Sequence, residues 1–120
     1  MITPSYTLLY VNSPEASGAF YSQLLGLTPV ETSPTFCLFV LQSGTKLGLW
    51  SKHTVEPAAT PVGGSELAFA VSDNAIVDST FASWSARGMQ IAQMPCSLDF
   101  GYTFVAQDPD GHRLRVFAPA

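Results

Sequence analysis

Asp108-Pro109-Asp110-Gly111-His112-Arg113-Leu114-Arg115-Val116-Phe117 carries the strongest signal of the fold in this chain. Its first four residues form a tight-turn signal, and the remainder alternates as a strand does. Arg115 is the telling residue of that strand. A guanidinium is cationic at any ordinary pH and has no free lone pair to give a metal.

Read backwards from this hairpin, the chain states one pattern twice. In the first half, Thr7 to Val11 is β-rich, and Asn12 or Ser13 caps a helix whose first turn accepts Pro14. Ala16, Ala19, Phe20 and Leu24 recur at helical spacing until Gly26 offers a stop. Strands are expected at 28–32, 36–42 and 46–51, with Ser43-Gly44-Thr45 as a hairpin connection. In the second half, Leu67 to Val71 is a strand and Ser72-Asp73-Asn74 a cap region. A helix over 76–87 carries Val77, Phe81 and Trp84 on one face, and strands come next at 90–93, 102–107 and 112–117. The offset between the halves is roughly 60 residues, so the chain reads as two βαβββ modules. Residues 53–64, with Pro57, Pro61, Gly63 and Gly64, read as a surface linker. Its length fits either an ordinary connecting loop or module exchange between two subunits.

The 120 residues suit one domain, with module one at about 4–52 and module two at about 65–120. Apolar residues make up 47% of the chain and charged ones only 12%, which leaves apolar surface for a partner and points to a homodimer. With a net charge of -4 and five Lys and Arg, no basic stripe is available for nucleic acid. No run approaches the roughly 18 apolar residues of a membrane span, and no signal-peptide pattern opens the chain, so a cytoplasmic protein is expected. Cys37 and Cys96 have neither zinc-site spacing nor a disulfide framework and are expected to stay reduced.

Tyr10-Val11 leading into Phe20-Tyr21 and Leu25-Gly26-Leu27, then Leu67 to Asn74, then Asp108 to Phe117, together resemble the vicinal oxygen chelate superfamily of glyoxalase I, extradiol dioxygenases and the fosfomycin- and bleomycin-resistance proteins. The resemblance covers the whole chain. It implies an α+β fold in which two βαβββ modules form a curved mixed sheet with a cleft. In metal-dependent members each module gives one ligand from its first strand and one from its last. Carried over, those positions are Tyr6, Gly48, Glu66 and Arg115. Only Glu66 is a good ligand, since glycine has no side chain, a phenol binds poorly and Arg is excluded. No metal and no other cofactor is therefore expected. His53 and His112 fall outside these positions and read as solvated residues near turns. Glu66 and Arg115 are expected to face one another, the guanidinium supplying the positive charge that a cation would have supplied.

Strand parity puts Trp50 on the face of Gly48, where a flat molecule would have room to approach the backbone. Tyr6, Phe39, Phe100 and Tyr102 are expected as further walls, while Phe36, Phe69, Phe104, Phe117 and Trp84 read as packing residues. Ile2-Thr3-Pro4, Leu49-Trp50-Ser51 and Phe100-Gly101-Tyr102-Thr103-Phe104 ahead of the final turn look like the phenazine-antibiotic resistance proteins of this superfamily. These bind a planar drug without a metal, in dimers, with a tryptophan stacked on it. The resemblance implies sequestration of a planar aromatic small molecule, with Trp50, Tyr6, Phe39, Gly48, Glu66, Phe100, Tyr102 and Arg115 in contact and no catalytic residue. The alternative is a glyoxalase- or dioxygenase-like enzyme acting on a small oxygenated substrate. It would need either a metal or acid–base chemistry by Glu66. A third reading, a sensor or interaction module, would use the charge-poor surface for assembly.

Overall fold

The repeat in the sequence becomes two units, Met1–Val62 and Gly63–Ala120, in the computed structural model, which describes residues 2–61 and 64–120. The first contains β1 (Tyr6–Val11), α1 (Pro14–Leu25), β2 (Glu31–Thr32), β3 (Phe36–Val40) and β4 (Lys46–Ser51). The strands lie in the order β1-β4-β3-β2, with β1 parallel to β4 and the other pairs antiparallel. Ser13 caps α1 by accepting the Ala16 N–H at 3.1 Å, and Gly26 ends it in the left-handed region at φ 66°.

The buried face of α1 differs from the one its apolar spacing predicts. Pro14, Ser17, Gly18 and Tyr21 are buried, whereas Ala16 and Ala19 are exposed. The reason is close approach to the sheet: a Cβ on Gly18 would stand 2.9 Å from the Cys37 Sγ. Small residues let the helix settle onto Cys37, and Tyr21 fills the space beside them. β2 is shorter than the expected 28–32, since it lies at the sheet edge with Pro29 just before it and Pro34 just after. The segment after β4 is also less linker-like than its composition implies. Val55 is buried, its N–H donates to the Ser51 carbonyl at 3.0 Å, and the His53 Nε2 lies 2.8 Å from the Asn12 Oδ1. Gly63 lies outside the described residues.

The second unit contains β5 (Glu66–Ala70), α2 (Asn74–Ala86), β6 (Gln90–Leu98), β7 (Gly101–Gln107) and β8 (Arg113–Pro119), with strand order β5-β8-β7-β6. Again the first and last strands run parallel and the rest antiparallel. Asp73 caps α2 by accepting the Ile76 N–H at 3.0 Å. Here the predicted helix face holds: Val77 and Trp84 are buried, and Trp84 and Phe81 meet Phe104 edge to face at 5.4 Å. β6 runs on past Gln93 to Leu98, taking two register shifts against β7. Such bulges at a sheet edge accommodate Pro95 and re-aim neighbouring side chains.

The turn before β8 is held by one carboxylate. Asp108 Oδ1 accepts the N–H groups of Asp110 at 2.9 Å and His112 at 2.8 Å, and its Oδ2 lies 2.7 Å from the His112 Nδ1. His112 is thus part-buried and paired rather than freely solvated. Its pKa is raised, chiefly by the hydrogen bond to Asp108 and further by the charges of Asp108 and Asp110, against the opposing effect of burial. A raised folded-state pKa means stabilisation that is complete below the unfolded value of about 6.5 and is lost as pH rises through the folded value. The melting temperature should therefore be higher at about pH 6 than at about pH 8.5, and His112→Gln should shrink that difference. Thermal melts of both proteins across this range check it.

Candidate functional site

Each sheet has one helix, so side-chain alternation gives it one covered face and one open face. In the first unit the register aligns Tyr6, Leu8 and Tyr10 of β1 with Lys46, Gly48 and Trp50 of β4, and these with Val40, Leu38 and Phe36 of β3. This is the face opposite Cys37 and α1. Tyr6, Leu8 and Tyr10 are exposed on it, and Phe36 meets Trp50 edge to face at 6.1 Å. The Lys46 Nζ stands 5.1 Å from the centre of the Tyr6 ring. A part-buried indole, a flanking phenyl and two phenols make an aromatic surface that can stack a flat ring system.

Two expectations about this face need correction. Phe39 shares its parity with Cys37 and is fully buried under the helix side, so it is core and no wall. Gly48 does sit beside Trp50, but the space over it is already filled. A Cβ there would come within 2.6 Å of the Leu8 Cδ2 and 3.0 Å of the Phe36 Cζ. The glycine makes room for these two side chains, and Phe36 in turn supports the Trp50 ring.

In the second unit the open face carries Glu66 and Ala68 of β5, Arg113, Arg115 and Phe117 of β8, Thr103 and Val105 of β7, and Gln93 of β6. Glu66 and Arg115 do meet: the Arg115 Nε donates to the Glu66 Oε1 at 2.7 Å. Arg115 Nη1 donates to the Thr103 Oγ1 at 3.2 Å and the Gln93 Oε1 at 3.4 Å. Thr103, fully buried, donates its own hydroxyl proton to the Val116 carbonyl at 2.8 Å. The guanidinium carbon lies 5.3 Å from the Phe100 ring centre, and Phe100 meets Phe117 edge to face at 5.8 Å. Phe100 is placed by its neighbour: Gly101 has φ 147°, and a Cβ there would collide with the Ala118 carbonyl.

Tyr102 does not join this face. It is one residue out of phase with Thr103, points to the helix side, and donates from its hydroxyl to the Asp78 Oδ1 of α2 at 2.7 Å. That bond, rather than a ligand, raises its pKa. Gln93 and Thr103 were missed by sequence reading. Thr103 was available through parity with Gly101 and Val105, whereas Gln93 depends on the β6 bulge. Phe36 and Phe117, expected as packing residues, lie on the open faces.

The four positions assigned to metal ligands do not fit a metal. Arg115 donates into Glu66, Gly48 has no donor atom, and the Tyr6 ring already carries a cation above it. Elsewhere, Asp108, Asp110 and His112 bring potential ligand atoms within 4.8 Å of one another. Both oxygens of Asp108 are spent on holding the turn.

Residues 3–116 match the Glyoxalase/Bleomycin resistance protein/Dioxygenase superfamily, and the chain belongs to it. Over 118 residues it is 31% identical to phenazine antibiotic resistance protein EhpR of Enterobacter agglomerans, covering 96% of this chain and 91% of that protein. A protein of Agrobacterium tumefaciens solved by NMR in solution is 58% identical, with a TM-score of 0.87 over 100% of this chain and 99% of that one. The crystal structure of a glyoxalase/bleomycin resistance protein/dioxygenase from Nocardioides is 26% identical, with a TM-score of 0.83 over 99% and 84% of the two chains.

Arg115→Met removes three donor contacts of a largely buried side chain. It should lower unfolding free energy by about 1–2 kcal/mol, read from urea titration of both proteins.

Proposed function

We propose that this protein binds a planar aromatic small molecule of phenazine-like shape, without a metal, and protects the cytoplasm by holding it. The carrying observation is the open aromatic face of the first unit, where Trp50 is supported edge-on by Phe36 and joined by Tyr6 and Tyr10. A flat, fused-ring molecule gains both apolar burial and ring contacts there, each good contact worth about 0.5–1.5 kcal/mol beyond burial. Similarity to a phenazine antibiotic resistance protein along nearly the whole chain supports the same reading. So does the set of side chains at the ligand positions of metal-dependent relatives, which offers a guanidinium and a glycine instead of donors. An acid–base enzyme would need Glu66 free to take a proton, and its Oε1 is instead engaged by Arg115.

Trp50→Ala should weaken binding of a fused-ring ligand such as phenazine by at least about tenfold. Tyr102→Phe, on the helix side of the other unit, should leave affinity unchanged. Titration by fluorescence or calorimetry, with mass spectrometry of the recovered ligand, tests both affinity and intact recovery. Unchanged affinity in Trp50→Ala, or a converted ligand, would overturn the proposal.

A further inference from the structure

We infer that Leu8 sets the size of the planar ligand: it admits a tricyclic ring system laid across the strands and rejects one with a further fused ring directed along them. This rests on the binding reading above and narrows the class of ligand that the open face of the first unit accepts.

Strand register lays the residues of this face out in three rows across β1, β4 and β3. The first is Tyr10, Trp50 and Phe36, the second Leu8, Gly48 and Leu38, and the third Tyr6, Lys46 and Val40. Only the first row is aromatic throughout. Neighbouring strands lie about 4.8 Å apart, so a flat tricycle placed crosswise can lie along all three of its residues. The third row offers no comparable platform, because the Lys46 Nζ already stands 5.1 Å from the centre of the Tyr6 ring.

The second row decides how far a ligand extends along the strands. Successive residues on one face of a strand are about 6.7 Å apart, so a ring fused at the side of the tricycle would come over Gly48. A glycine leaves a gap in the sheet surface, but this gap is filled from both sides. The place a Cβ would take is 2.6 Å from the Leu8 Cδ2 and 3.0 Å from the Phe36 Cζ. Phe36 is committed to Trp50, which it meets edge to face at 6.1 Å. Leu8, 41% exposed, reaches over the glycine with the end of its side chain and stands as the wall at the margin of the aromatic row. A further ring adds apolar area and would strengthen binding wherever it had room. Weaker binding of the larger ring system is therefore the signature of a steric limit, and removal of the wall should reverse it.

The test compares phenazine with a tetracyclic benzophenazine whose fourth ring is fused at an angle to the long axis. Affinities are read by fluorescence titration for the unaltered protein, Leu8→Ala and Leu8→Val. The unaltered protein should bind phenazine at least about fivefold more tightly than the tetracycle. Leu8→Ala should hold phenazine within about twofold of the unaltered affinity and bind the tetracycle at least as tightly as phenazine. Should that variant not fold, Leu8→Val, one carbon shorter, replaces it and should lower the preference for phenazine. Equal affinity of the unaltered protein for the two compounds, or tighter binding of the tetracycle, overturns the inference while leaving ring binding in place. A preference that survives in the Leu8 variants also overturns it. So does a parallel loss of both affinities, which would make Leu8 a support of the platform rather than its limit. Binding of neither compound by the unaltered protein overturns both this inference and the function on which it rests.

Discussion

The two open faces of this protein stem from a mismatch between sheets and helices. A β-strand sends successive side chains to opposite faces, so each four-stranded sheet has two faces to cover, and each βαβββ module has only one helix to cover them. The covered faces collect Cys37, Phe39, Leu47 and Leu49 in one unit and Phe104, Leu114 and Val116 in the other. The uncovered faces must be stabilised in another way. One is lined with rings that support each other, and the other with an ion pair and hydrogen bonds.

The two open faces solve that problem differently. Around Trp50 the side chains interlock: Gly48 makes room for Leu8 and Phe36, and Phe36 braces the indole. Around Arg115 a charge that would be costly to cover is shared with Glu66, Thr103, Gln93 and the Phe100 ring. The first arrangement is apolar and flat, and the second is polar and directional. In a superfamily whose metal-dependent members place a cation near these strands, the guanidinium supplies fixed positive charge without an open coordination position.

Local chemistry made much of the architecture legible. Ser13 and Asp73 act as the caps their types predict, and Val77, Phe81 and Trp84 form the stripe their spacing predicts. The pairing of Glu66 with Arg115 was readable because the family resemblance placed both positions and strand parity turned them to the same face. The failures have common physical causes. For α1, apolar periodicity pointed to Ala16 and Ala19, but contact distance to Cys37 favoured Ser17 and Gly18. For Phe39 and Tyr102, aromatic character suggested a wall, but a strand aromatic serves whichever face its register gives it, and both belong to the helix side.

Residue type and spacing along the chain were enough to give the two-module plan, the helix caps and the strand-bearing segments. Three-dimensional packing was needed to sort the core rings from the open ones, to put Leu8 and Phe36 over Gly48, and to bring Gln93 and Thr103 against Arg115. Those contacts join residues from different strands, and only strand register and the bulges in β6 bring them within reach of one another.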